Sequence, residues 1–256
     1  KKQHRRRLKP HLADAAIDRL TTSDQINGIN NAEIVIEAVA ERLGIKQQVL
    51  QQVAEQVPDD CIIATNTSSL SVTAIAEGVR NPERVVGMHF FNPVRKMPLV
   101  EIIRGEHTSE EVLIETAALA TRMGKTPVIV KDVAGFLVNR LLGPYLDEAM
   151  RLFVEGVDAK RIDELMLKFG MPMGPLRLLD EVGLDIALHA SASLEEAYGV
   201  RMTPCPGINA LANDDRLGVK TKRGFYEHGK GKPTLCDDLS TFQTGNACKN
   251  LSDSDI

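Results

Sequence analysis

The chain has 256 residues, 43% of them apolar and 26% charged, with a net charge of −4 and an isoelectric point near 5.9. That length suits one large or two ordinary domains with an ample core, and the acidic balance argues against a nucleic-acid partner. Four cysteines (Cys61, Cys205, Cys236, Cys248) without C-x-x-C spacing point to a reducing compartment and no metal site, and no apolar run approaches the length of a membrane span.

The first twenty residues open on a basic cluster, KKQHRRRLK. No apolar stretch of a signal peptide follows it, so a solvated helix face is expected. EIVIEAV, residues 33–39, predicts a buried strand. Ile45, Val49, Val53 and Val57 recur every four residues and predict a helix stripe facing the sheet, stopped by Pro58 and the Asp pair. CIIAT, residues 61–65, predicts the next strand, and Asn66-Thr67-Ser68-Ser69 turns from it into a short helix through Glu77. A third strand begins at Arg84 (RVVGM) and breaks at His89-Phe-Phe-Asn-Pro, where Pro93 cannot continue a ladder. A further apolar run, residues 97–103, follows at once and carries Glu101. Residues 108–124 predict a helix with a Thr108/Glu111 capping box and Gly124 at C′. Residues 126–130 form the last predicted strand. Such alternation is the mark of a parallel doubly wound sheet.

After Asp132 the β-pattern disappears. Residues 136–154 predict a long helix, apolar nearly all round and therefore expected to be buried between neighbours. A second helix is expected over 158–169, a tight connection over 170–175, and mostly helix over 176–198. From Glu227 onward Gly, Thr, Ser and Asp dominate, and a linker or disordered tail is expected. The fold class is thus α/β: a partial Rossmann-type doubly wound parallel sheet over residues 1–131, an all-α domain over 132–226, and a tail over 227–256. It is partial because the strand, G-x-G-x-x-G and following acidic residue that open a dinucleotide fold are absent from the sequence.

His89 is expected where a strand gives way to a loop, at the end of the sheet where ligands bind in open α/β folds. A histidine oriented by a carboxylate, here Glu101, is a minimal general base. On spacing alone, a surface-loop His and an unrelated edge-strand Glu is the commoner arrangement. Ser68 ends a neighbouring strand; its hydroxyl can hold a substrate oxygen or cap a turn. Asn139 stands near the start of the first helix of the second domain and is either a donor to a carbonyl or a buried structural amide. His107, His189 and His228 have no partner pattern and are read as structural or solvated.

GMHFFNPV with MPLVEI resembles the catalytic stretch of the L-3-hydroxyacyl-CoA dehydrogenases. DVAGFLVNRLLGPYLDEAMRLFVEG, residues 132–156, is similar to the signature of the same family, with Gly135-Phe136, Asn139-Arg140 and Pro144-Tyr145 in place. The likeness runs from about residue 12 to about residue 226 and is strongest to the dehydrogenase part of the multifunctional fatty-acid β-oxidation proteins. It implies NAD-dependent oxidation of L-3-hydroxyacyl-CoA to 3-oxoacyl-CoA, with His89 as base, Glu101 as its orienting acid, and Ser68 and Asn139 on the substrate. It also implies that Glu41 and Lys46 contact the nicotinamide side of NAD and the cofactor or CoA phosphates, that Asn92 approaches the nicotinamide ribose, and that Ser68 and Lys220 touch NAD. Taken alone, Glu41 and Lys46 read as helix-face charges, Asn92 as a turn residue and Lys220 as a surface lysine.

By the same resemblance the family's first βαβ unit would lie upstream of Lys1, and LSDSDI resembles the opening of a second helical repeat. An internal fragment of a longer protein is therefore expected, binding NAD weakly or not at all by itself, with negligible dehydrogenase activity, because the glycine turn holds the pyrophosphate. An acyl-CoA thioester is the implied substrate, and a homo-oligomer or a β-oxidation complex the implied assembly. The implied compartment is cytoplasmic for a bacterial source and mitochondrial or peroxisomal for a eukaryotic one. Two other readings stand beside this one: a hydroxyacid dehydrogenase with a non-CoA substrate, and a catalytically incompetent remnant.

Overall fold

The computed structural model describes residues 9–26, 28–245 and 252–253. Nearly all of the basic cluster, Cys248 and most of LSDSDI lie outside these residues. In chain order the first part comprises α1 (Pro10–Ile17), β1 (Ile34–Glu37), α2 (Leu43–Ala54), β2 (Ile62–Thr65), α3 (Val72–Ile75), β3 (Val85–Phe90), β4 (Leu99–Arg104), α4 (Glu110–Arg122) and β5 (Thr126–Lys131). The second comprises α5 (Val138–Val154), α6 (Ala159–Phe169), α7 (Pro175–Val182), α8 (Leu184–Tyr198), α9 (Gly207–Asn213), β6 (Tyr226–Glu227) and β7 (Thr234–Leu235).

The sheet runs β1-β2-β3-β4-β5. Strands β1, β2 and β3 are parallel, β4 is antiparallel to β3, and β5 is parallel to β4. The expected all-parallel sheet is therefore mixed. Parallel neighbours need a crossover of about a dozen residues or more, and the short link from Phe90 to Leu99 leaves the chain no choice but to turn back. On one face Leu50, Val53 and Ile75 pack against Ile63, Val85 and Ile103. On the other, Val112, Leu113 and Ala120 of α4 cover Val86, Met88 and Ile102. Gly87 lets β3 pass beneath α3, since a Cβ there would lie 2.7 Å from Val72 Cγ2 and 2.6 Å from Ile103 Cβ.

Several expectations about these elements are corrected. EIVIEAV forms only a four-residue strand at the edge of the sheet, so Ile36 stays 39% exposed. Of the expected helix stripe, Val53 and Val57 are buried and Val49 packs against the same core, but Ile45 is 36% exposed; Lys46 is buried in its place because its ammonium is drawn inward by Glu37. Ser109, and not Thr108, caps α4 by accepting from Val112 N at 3.3 Å. The Thr108 hydroxyl is committed to Val85 O at 2.6 Å. Gly124 does occupy the left-handed position after α4, with φ +74°.

The helical part has its own core, including Met150, Phe153, Ile162, Leu176, Leu179, Leu184 and Leu211. Helix α5 is enclosed only toward its C-terminal end, at Ala149, Met150 and Phe153. Its expected full burial fails because no described element covers Leu141, which is 64% exposed. The stretch after Glu227 is not a loose tail through Gly245. Strands β6 and β7 pair as a hairpin, Cys236 and Leu239 enter the helical core, and Thr244 N donates to Val154 O at 2.9 Å. The fully buried Arg216 pairs with Asp214 at 2.9 Å and with Asp238, which lies beyond the hairpin. Few apolar anchors suffice there because a buried guanidinium left without Asp238 would be costly.

Cys61 is buried in the sheet core, and Cys205 and Cys236 in the helical core. Burial pushes all three thiols above their usual range.

Candidate active site

Backbone register alone brings the base and its acid together. His89 on β3 lies directly opposite Glu101 on the antiparallel β4, so both side chains leave the same face of the sheet. His89 Nδ1 and Glu101 Oε2 are 2.8 Å apart. Glu101 is 1% exposed and His89 7%. The imidazole packs at a tilt against Phe91, with ring centroids 4.5 Å apart, and against Phe136 at 5.8 Å. With Nδ1 engaged by the carboxylate, Nε2 is the nitrogen left to take a proton.

The second carboxylate oxygen reaches into the other domain. Glu101 Oε1 accepts from Leu137 N and Val138 N, both at 3.0 Å. Leu137 has no side-chain cap to offer α5, so Glu101 fills that place, and the positive end of the helix stabilises its charge. The segment leading there is held along its length. Asp132 accepts from Ser71 Oγ at 2.7 Å, Val72 N at 3.0 Å and Thr73 N at 2.8 Å, capping α3. Tyr198 OH of α8 donates to Ala134 O at 3.0 Å. Phe136 is buried at φ +46°, a strained backbone for a bulky residue that persists only where its surroundings fix it.

Asn139, the second residue of α5, donates from Nδ2 to Ser68 O at 3.1 Å. The structure thereby brings together two residues expected on the substrate. Ser68 is exposed, and its backbone is set by Glu41. Glu41 Oε1 accepts from Thr67 Oγ1 at 2.6 Å, Ser68 N at 2.8 Å and Ser69 N at 3.2 Å. Burial raises the pKa of Glu41, but these bonds and the charge of Lys46 outweigh it and hold the carboxyl below its usual range.

Lys46 is fully buried, and its ammonium is matched by Glu37 at 2.9 and 3.1 Å, Asn66 O at 3.1 Å and Glu41 at 3.4 Å. Lys46 thereby serves as the counter-charge beneath the Ser68 loop. Asn92 is exposed just beyond β3. Asn92, Ser68 and Glu41 are thus the expected cofactor contacts at this end of the sheet that remain exposed. Lys220 lies in the helical part, paired with Asp185 of α8.

Sequence reasoning passed over Glu37, Asn66 and Asp132. Glu37 carried a signal, since a carboxylate inside an apolar run calls for a buried cation. Asn66 Oδ1 accepts from Phe90 N at 3.1 Å and so pins the residue after His89. His228, read as partnerless, pairs with Asp180 at 2.8 Å. That correction arises from an acid 48 residues away in the chain, a separation no local pattern reveals.

Comparison with known proteins agrees with this geometry. The family described as "3-hydroxyacyl-CoA dehydrogenase, NAD binding domain" matches residues 1–133, and "3-hydroxyacyl-CoA dehydrogenase, C-terminal domain" matches residues 135–228. The fatty acid oxidation complex subunit alpha of Psychrobacter cryohalolentis is 44% identical, over 98% of this chain and 35% of its own. That of Shewanella loihica is 43% identical, over 91% of this chain and 33% of its own. The chain thus spans about a third of the length of these curated relatives. Among solved structures, 3-hydroxybutyryl-CoA dehydrogenase from Escherichia coli K12 has a TM-score of 0.86 at 37% identity, covering 91% of this chain and 50% of that one. The (S)-3-hydroxybutyryl-CoA dehydrogenase from Ralstonia eutropha has a TM-score of 0.84 at 37% identity, covering 89% and 81%. With two family profiles end to end across the fold and a paired His89 and Glu101 at the joint between them, the chain belongs to the 3-hydroxyacyl-CoA dehydrogenase family.

Proposed function

We propose that this chain carries the dehydrogenase centre for oxidation of an L-3-hydroxyacyl-CoA to the 3-oxoacyl-CoA in fatty-acid β-oxidation. The observation that carries the reading is the buried His89–Glu101 pair at 2.8 Å, placed at the sheet's end beside Ser68 and Asn139. His89 Nε2 takes the hydroxyl proton while Glu101 fixes the tautomer and stabilises the imidazolium that forms. The exposed Ser68 hydroxyl holds the substrate oxygen, and the Asn139 amide donates to the developing ketone or to the thioester carbonyl. Bound NAD would supply the hydride acceptor for the carbon that bears this hydroxyl.

The fit to the cofactor is partial within these 256 residues. Asn92 and Ser68 suit the nicotinamide ribose, but the sequence contains no G-x-G-x-x-G to cradle a pyrophosphate. The names of the curated relatives support a place in a fatty acid oxidation complex.

Turnover is best tested in a form of the protein that also carries a glycine-turn nucleotide unit, following NADH absorbance. An L-3-hydroxyacyl-CoA is expected to be oxidised and the corresponding free hydroxy acid to be at least about a hundredfold slower, since binding energy from the CoA part is lost. Equal rates for the two would overturn the thioester reading. Absence of any NADH formation from either would overturn the dehydrogenase reading.

A further inference from the structure

We propose that Glu101 is a positioning residue for Asn139 as well as for His89, so that protonation of the base is transmitted to the joint between the domains. The inference deepens the functional reading above and rests on it for its catalytic meaning, though its geometry stands alone. One carboxylate serves two clients: Oε2 faces His89 Nδ1 at 2.8 Å, and Oε1 accepts from Leu137 N and Val138 N at 3.0 Å. Asn139 is the very next residue, and its Nδ2 reaches Ser68 O at 3.1 Å. Among the described residues, the side chain that caps the first two amides at the start of α5 is therefore that of the acid that orients the base.

The two clients draw on the same charge. While His89 is neutral, Glu101 Oε1 keeps its full share of the negative charge and holds the two amides tightly. When Nε2 gains the hydroxyl proton, the imidazolium draws that charge toward Oε2, and the bonds at Oε1 weaken. The joint is firm in the state that awaits substrate and loosens once the proton has been taken. Phe136 makes it responsive, because its ring packs on His89 while its strained backbone, at φ +46°, immediately precedes the two amides.

The other charged groups around the joint are engaged elsewhere. Asp132 caps α3, Arg140 lies over the Tyr198 ring, and Lys46 with Glu41 sits behind Ser68. Lys131 is exposed at the far end of β5, whose Val128 is the residue opposite Glu101. Among the described residues, Glu101 is the ionisable side chain within ion-pair distance of His89.

The test is a pH titration of the whole chain by NMR, following the His89 ring and the Leu137 and Val138 amides. The two amide signals are expected to move with the same midpoint as the ring. In His89→Gln that step is expected to vanish, while hydrogen-exchange protection at both amides persists. In Glu101→Gln, a near-isosteric change chosen to preserve folding, protection at the two amides is expected to fall about tenfold, the worth of a typical helix cap. Amides that stay flat while the ring titrates would overturn the proposal, as would unchanged protection in Glu101→Gln. None of these signals depends on turnover, so a chain that showed the coupled titration but no dehydrogenase activity would sink the functional reading and leave this one standing.

Discussion

Two histidine–carboxylate pairs with enclosed side chains and the same length stand among the described residues, and one of them belongs to the candidate site. His89–Glu101 and His228–Asp180 both measure 2.8 Å, and the two histidine side chains are 8% and 7% exposed. Pair geometry and burial therefore do not separate base from strut. What separates them is how the acid spends its other bonds. Asp180 accepts from Phe225 N at 2.9 Å and Tyr226 N at 2.8 Å, backbone neighbours of His228 itself. It closes a local knot, so tight that a Cβ on Gly224 would lie 2.0 Å from its carboxylate. Glu101 instead spans two domains, joining strands β3 and β4 to the helix that carries Asn139. A base belongs where elements of different origin meet, and a strut where one loop folds onto its own anchor.

The largest effect that could break this contrast is catalytic. In a catalytically active form of the protein, His89→Gln is expected to lower kcat about a hundredfold or more, the usual loss of a positioned base. His228→Gln is expected to leave kcat within about threefold. Steady-state kinetics of both variants checks this, and comparable losses would erase the distinction. Next in size is stability. Asp180→Asn is expected to lower the unfolding free energy by about 2–3 kcal/mol, because buried partners in a satisfied network are left unmatched. Its kcat per folded molecule should nevertheless stay within about threefold. Denaturant titration alongside kinetics reads both quantities.

The third and smallest effect sharpens the contrast with a carboxylate that serves the site only indirectly. Glu41 sits below its usual pKa: burial raises it, but hydrogen bonds from Thr67, Ser68 and Ser69 and the charge of Lys46 win. A depressed folded-state pKa contributes stability that is present above the unfolded value and lost as pH falls through the folded one. The native chain should therefore lose more Tm between about pH 6 and about pH 3.5 than Glu41→Gln does. Equal losses on thermal melts at the two pH values would show that the Ser68 loop does not depend on that charge.

The pair at the candidate site was legible in the sequence because its parts are local. His89 and Glu101 lie 12 residues apart, on two apolar runs separated by a proline-marked break, and strand alternation then dictates which side chains share a face. The same break also held the signal for the antiparallel turn, which the sequence reading missed: so short a link cannot cross over. Lys46 misled because its helical spacing says surface while Glu37 in the preceding strand says interior, and the buried charge decides. The hairpin after Phe225 was invisible for another reason. Its stability comes from Arg216, Asp180 and Asp163, which meet it from distant positions: Asp163 takes Tyr226 OH at 2.6 Å and caps α7 through Leu176 N at 2.9 Å. A segment poor in apolar residues still orders when buried charges elsewhere need it.

The placement of the cysteines has a use of its own. Thiols react as thiolates, and Cys61, Cys205 and Cys236 are enclosed with their ionisation suppressed by burial. Alkylation of each must then wait for its surroundings to open. Cys61 is shut in by the sheet, whereas Cys205 and Cys236 are shut in by the helices. In a Cys248→Ser background, the labelling rates become two independent clocks, one timing the opening of the nucleotide-fold half and the other that of the helical half.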